Sequence, residues 1–152
     1  MLEPIYTVYH SSILDADPDR VWIEMRDIMR TLDIIFGSDI EGAHWVNGGS
    51  VDRVPSRYEF TVLPGRDVAL EEVVGRSEQE RSLTYRSIGQ VLEIYDYVAT
   101  YRVLAVTNDP RRCFLEYTRQ FRVTSAGGPD FAAFIETLFD QEIDSVRAYF
   151  AA

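Results

Sequence analysis

The stretch Ile94–Thr124, IYDYVATYRVLAVTNDPRRCFLEYTRQFRVT, decides the fold class of this chain. It reads as two long strands, Tyr95–Val106 and Cys113–Thr124, joined by the turn Thr107-Asn108-Asp109-Pro110. In the first strand Tyr95, Tyr97, Ala99, Tyr101 and Val103 share one face, opposite Asp96, Val98, Thr100 and Arg102. In the second, Leu115, Tyr117, Arg119, Phe121 and Val123 alternate with Phe114, Glu116, Thr118, Gln120 and Arg122. Period two over this length marks half-buried antiparallel sheet. Arg119 stands in the middle of the more apolar face. A charge there needs a partner or water, because an unpaired buried charge is prohibitively costly. A sheet face of tyrosines with one arginine reads as the wall of a ligand cavity.

Further strands precede this hairpin. Ile5–Leu14 alternates loosely, and Asp15-Ala16-Asp17-Pro18 stops it. Asp17 as N-cap with Pro18 at the first helical position predicts a helix start. Val21, Trp22, Met25, Ile28, Met29 and Leu32 then recur near every 3.6 residues, with a second short turn over Asp33–Phe36 before Gly37. Gly42–Gly49, with His44, Trp45 and Asn47, reads as a loop, with Trp45 as a gate at the mouth of the cavity. Ser50–Leu63 is a strand interrupted by Pro55, carrying Tyr58, Phe60 and Val62 on one side. Pro64-Gly65-Arg66-Asp67 turns into Val68–Val74, and Arg76–Glu80 turns into Ser82–Ile88, where Leu83, Tyr85 and Ser87 alternate. After the long hairpin, Ala126-Gly127-Gly128 breaks the sheet and Pro129 opens a helix to the C-terminus. Phe131, Phe134, Ile135, Leu138, Phe139, Ile143, Val146, Tyr149 and Phe150 form its broad apolar side, which fits a helix laid across a concave sheet.

Composition narrows the function classes. The chain has 152 residues, enough for one domain with its own core, with 46% hydrophobic and 26% charged residues, ordinary for a soluble globule. Its net charge of -10, with no basic cluster, disfavours nucleic acid and anionic lipid surfaces. The single cysteine, Cys113, allows neither an intramolecular disulfide nor a cysteine-based zinc site and reads as a small buried hydrophobe. His10 and His44, the only imidazoles, form no constellation with metal-ligand spacing. No glycine-rich phosphate loop and no nucleophile motif occurs, and no cofactor is expected. Met1–Leu14 lacks a leader pattern, and no apolar run approaches the roughly 20 residues of a spanning helix. The expectation is a cytoplasmic protein.

The order strand, two short helices, antiparallel strands and one long C-terminal helix resembles the helix-grip fold, an α+β architecture. That is the START-like superfamily of birch-pollen-type allergens, polyketide aromatase/cyclases and plant abscisic-acid receptors. Ile13-Leu14-Asp15-Ala16-Asp17-Pro18-Asp19-Arg20-Val21-Trp22 is similar to the family's passage from first strand to first helix. Leu70-Glu71-Glu72-Val73-Val74, followed by Ser77–Tyr85, resembles its strand, acidic turn and strand; Glu116–Phe121 resembles the stretch in which an aromatic residue precedes a phenylalanine by four. The resemblance spans nearly the whole chain and implies an internal hydrophobic cavity. It also implies that the glutamate at Glu72 points inward together with Val74. Alternation agrees with this, since Val68, Leu70, Glu72 and Val74 form an otherwise apolar face. Dimers occur in the family, so a homodimer is an expectation of the resemblance alone.

Glu72 and Arg119 are therefore expected as opposite charges on inward faces. They either satisfy one another structurally, or Arg119 anchors a ligand carboxylate, phenolate or enolate while Glu72 acts as base. Tyr58, Tyr85, Tyr97, Tyr101, Tyr117, Phe121, Phe134 and Leu138 are expected to line the cavity, although each tyrosine also has a plain packing role. Their apolar bodies and single hydroxyls suit an aromatic or polyketide-like ligand. Three functions remain open. One is a cofactor-free cyclase, aromatase or dehydratase that folds its substrate into a reactive shape. Another is a non-catalytic carrier or sensor of a hydrophobic small molecule, and the third is an interaction module whose cavity is filled. The arginine kept on an aromatic face favours the enzyme.

Overall fold

Asp17 accepts a hydrogen bond from the Arg20 amide at 2.9 Å, and Pro18 occupies the first turn, so strand β1 (Tyr6–Leu14) passes into helix α1 (Pro18–Met25) as the cap signal predicts. The apolar period from Val21 to Leu32 is divided in the computed structural model, which describes residues 2–152. Asp27 captures the Met29 amide at 2.9 Å and starts a separate helix, α2 (Ile28–Phe36). An aspartate that hydrogen-bonds a nearby backbone amide favours a cap over a helix interior. Both helices keep their apolar faces buried, through Val21, Trp22 and Met25 and through Ile28, Leu32 and Ile35.

The remaining elements are β2 (Ile40–Val46), β3 (Ser56–Val62), β4 (Asp67–Ser77), β5 (Ser82–Ser87), β6 (Ile94–Ala105), β7 (Cys113–Val123) and α3 (Gly128–Ala151). The strands form one curved, fully antiparallel sheet in the order β1-β7-β6-β5-β4-β3-β2. This is the helix-grip architecture. Strand β2 stands where the sequence predicts a loop. It is an edge strand whose residues are largely exposed, so it has no burial period and is defined by its pairing with β3.

In the long hairpin the predicted faces hold except at Tyr95, which lies opposite the outward Arg122 while Ile94 turns inward opposite Val123. Tyr101, Val103, Leu115, Tyr117, Arg119, Phe121 and Val123 are buried, and Cys113 is a buried free thiol. A bulge displaces the β6–β7 register between Tyr95 and Val98, with Asp96 in the left-handed region at φ 53°. Bulges of this kind re-aim side chains near functional sites. Helix α3 packs against β1, β7 and α2. Two apolar clusters lie between helices and sheet. The larger joins α1, α2, the sheet and the C-terminal half of α3; the smaller joins Val8, Ile94, Phe121, Val123, Ala132, Ile135 and Phe139. No helix is long and apolar enough to cross a membrane among the described residues.

Candidate functional site

Between sheet and helices lies a cavity of about 130 Å³, lined by Leu32 and Phe36 of α2, Phe60, Ala69, Glu71, Tyr85 and Tyr97 of the sheet, and Leu138, Phe139 and Glu142 of α3, among others. An outer recess of about 520 Å³ adjoins it and shares Phe36, Val62, Leu92, Leu138 and Glu142. The inner volume is close to the ~150 Å³ that holds a benzene ring in an apolar cavity. The recess leaves room for the rest of a larger molecule.

Arg119 pairs with Glu142, not with Glu72. Its terminal nitrogen lies 2.5 Å from Glu142 Oε1, and its Nε donates to Tyr97 Oη at 3.0 Å. The guanidinium plane is stacked between the rings of Tyr117 and Phe139, at 3.8 and 4.0 Å from the ring centres. Such stacking suits the flat, weakly hydrated guanidinium. Arg119 is 1% exposed and does not line the cavity. Burial opposes its charge, but Glu142 together with Tyr97, Tyr117 and Tyr85 outweighs that and holds it well above its ordinary range. Burial pushes Glu142 above the usual carboxylate range, against the pull of Arg119.

Glu72 lies on the outer face, where Arg57 donates to it at 3.0 Å and Arg86 at 2.9 Å. These arginines hold its pKa low, with Arg57 the stronger influence. The inward residues of β4 are Ala69, Glu71 and Val73, and Val68 and Val74 are exposed. Register explains the reversal. The β3–β4 hairpin pairs Val62 with Asp67, which sets Tyr58 opposite Glu71 and Phe60 opposite Ala69. Residues directly opposite share a face, so the inward Tyr58 and Phe60 bring Glu71 in and turn Glu72 out.

Glu71 is 8% exposed and accepts a hydrogen bond from Tyr58 Oη at 2.7 Å. Burial raises its pKa to about 7, with the like charge of Glu142 adding and the Tyr58 bond and Arg119 subtracting. Tyr85 Oη joins Tyr97 Oη at 3.0 Å and Tyr117 Oη at 2.5 Å. Burial raises all three phenols, Tyr117 to about 12, so they serve as hydrogen-bond donors near neutral pH.

The tyrosines expected in the cavity wall divide. Tyr85, Tyr97 and Leu138 line the inner cavity, and Phe134, 52% exposed, lines the recess with Leu138. Tyr58 stands behind Glu71, and Tyr117 stacks on Arg119. Tyr101 bonds Thr31 Oγ1 at 3.0 Å and the Met25 carbonyl, which ties β6 to the junction of α1 and α2. Phe121 packs in the smaller apolar cluster, edge-on to Phe139. Trp45 packs edge-on to Tyr58 and lines neither part of the cavity, so it is no gate. His10 on β1 contacts Asp140, and His44 on β2 contacts Glu59, at opposite edges of the sheet. Glu142 was missed in the sequence although its position marks it. It falls on the buried stripe Ile135, Phe139, Ile143 and Val146, where an acid requires a partner.

A curved sheet gripping a long helix over an apolar, aromatic-lined cavity defines a helix-grip protein of the hydrophobic-ligand class. The chain belongs to the family described as polyketide cyclase / dehydrase and lipid transport, whose profile matches residues 6–151. No curated protein matches it in sequence. Among solved structures it is similar to the aromatase/cyclase ZhuI from a Streptomyces species, with a TM-score of 0.77 and 17% identity over 97% of this chain and 94% of that one. Truncated norcoclaurine synthase from Thalictrum flavum gives 0.70 and 15%, over 97% and 94%. A protein from Nitrosospira multiformis gives 0.74 and 25%, over 95% and 96%. The likeness to ZhuI and to norcoclaurine synthase shows the fold alone.

Proposed function

We propose that this protein binds an aromatic or polyketide-like small molecule in the internal cavity and catalyses its cyclisation, aromatisation or dehydration without a cofactor. The observation that carries this reading is Glu71, a buried carboxyl poised near neutrality on an apolar wall. A general base works best when its pKa lies near the working pH. Glu71 takes the role first assigned to Glu72. As carboxylate it removes a proton from the carbon beside a ligand carbonyl, and the electron pair moves onto the carbonyl oxygen. Tyr85 or Tyr97 donates a hydrogen bond to that oxygen. The enolate carbon attacks a second carbonyl of the same molecule, and the proton held by Glu71 passes to the new alkoxide. Arg119 is a positioning residue: its Nε–H occupies a lone pair of Tyr97 Oη and so directs the phenolic proton away from the guanidinium, toward Tyr85 or the ligand. The family and the aromatase/cyclase likeness support this chemistry without specifying it.

The carrier reading is favoured by the mainly apolar lining. The two are separated with 2-tetralone, a ketone with exchangeable protons, incubated in deuterated buffer and followed by NMR. Wild type is expected to accelerate deuterium uptake and Glu71→Gln to lose that acceleration while still binding. Binding without acceleration by wild type selects the carrier. No binding at all removes both readings.

A further inference from the structure

The charges around the cavity are one-sided. Among the described residues, Glu71 and Glu142 are the only acidic or basic side chains on its inner wall, at 8% and 7% exposure. Each has a single hydrogen-bond partner among the described residues, Tyr58 and Arg119 respectively, and in both cases it engages Oε1. The second oxygen of each carboxylate is left to whatever fills the cavity. Neither second oxygen is among the buried atoms that lack a partner, so each is open to the cavity space, where a charged donor makes the strongest bond. The outer recess continues the pattern with Asp39 and Asp67 and contains no arginine. Arg66, which falls between the lining residues Gly65 and Asp67 in the chain, pairs with Glu41 at 2.7 Å. Arg119, the expected anchor for an anion, is enclosed by Tyr117, Phe139, Tyr97 and Glu142. The path from mouth to floor thus runs over apolar and aromatic surface, with carboxylates at both ends and no cation directed into it.

We infer that the ligand is a cationic amphiphile, a protonated amine on an aromatic or alicyclic body, whose ammonium group is received between Glu71 and Glu142. This rests on the cavity being the ligand site, as proposed above. The rings of Phe36, Phe60, Tyr85, Tyr97 and Phe139 contribute both apolar contact and negative ring faces that attract a cation. The acidic rim raises the local concentration of cations and repels anions. The groups acting on Glu71 are Tyr58 on β3, Arg119 on β7 and Glu142 on α3, and those acting on Glu142 are Arg119 and, from β1, His10. An ammonium among them holds Glu71 as carboxylate. Binding at neutral pH then releases the proton that part of the Glu71 population carries in the empty cavity.

Three probes of one shape test this: 2-aminotetralin, 2-tetralol and tetralin-2-carboxylate, titrated by calorimetry against the folded protein. The amine is expected to bind at least about tenfold more tightly than the alcohol, with proton release visible as a buffer-dependent heat, and the carboxylate least. Glu71→Gln is expected to bring the amine down to the affinity of the alcohol and to abolish the proton release. Glu142→Gln tests the second carboxylate, but Glu71→Gln decides, because Glu142 also compensates Arg119. Equal binding of amine and alcohol, or preference for the carboxylate, overturns the amine assignment and leaves the cavity standing. Failure of all three to bind wild type overturns the cavity reading itself.

Discussion

Arg119 holds the centre of the molecule at the scale of single residues. It is fully charged, 1% exposed, and compensated by one carboxylate and two ring faces. Taking two charges from water is expensive, and their attraction offsets this only while both are present. Glu142→Ala leaves a buried guanidinium facing a cavity and is expected to destabilise by about 3–5 kcal/mol. The double variant Arg119→Met with Glu142→Leu removes both charges and is expected to regain most of that loss. Urea denaturation of Arg119→Met, Glu142→Leu and the double variant measures the coupling, and a double variant no more stable than either single one contradicts it.

The helices show how local rules place the elements around the cavity. Asp17 and Asp27 each cap a helix of one face, and each capped helix presents its apolar side to the sheet. Leu32 and Phe36 of the second reach the cavity. Had the chain run on as one helix through Arg26-Asp27, these side chains would have followed the straight axis of α1. Asp17→Ala and Asp27→Ala are each expected to cost about 1 kcal/mol, read as a lower urea midpoint at unchanged slope. Because α2 lines the cavity and α1 does not, only Asp27→Ala is expected to weaken probe binding as well. Equal effects of both variants on binding would show that α2 is placed by its packing and not by its cap.

For the whole molecule, buried and surface acids pull the pH dependence of stability in opposite directions. Glu71 holds its proton more tightly when folded, with its pKa moving from 4.5 to about 7. Between those values the folded state binds a proton that the unfolded state has lost, so stability falls as pH rises through this window. The full effect of Glu71 is on the order of 3 kcal/mol. Glu24, Glu72 and Glu78 behave oppositely. Arginines hold Glu72 low, and Glu78 is held at about 2 chiefly by Arg26 and Trp22, against burial. In Glu24 bonds from Tyr149 and Arg30 outweigh burial. Their contribution is complete above about pH 4.5 and is lost as pH falls below it. The share of Glu78 is under about 1 kcal/mol because its side chain is half exposed. Thermal unfolding is therefore expected to give a highest Tm near about pH 5, declining toward neutrality in wild type and much less in Glu71→Gln. A wild-type Tm that rises steadily from pH 5 to pH 7.5 contradicts a neutral Glu71.

What the sequence determined by itself was whatever neighbouring residues decide among themselves. The alternation in Tyr95–Val123, the aspartate–proline helix start and the apolar stripe from Ile135 to Phe150 all express local period and capping, and they defined the strands, the long helix and the helix-grip order. The tertiary structure alone decided the rest. Two adjacent glutamates made either face of β4 eligible, and only pairing with β3 turned Glu71 inward and Glu72 out toward Arg57 and Arg86. The partner of Arg119 came from a helix 23 residues further along the chain, which no strand period could indicate. The cavity is the space left between elements once sheet and helices have packed. Its shape depends on their relative placement, which is a property of no single stretch of chain.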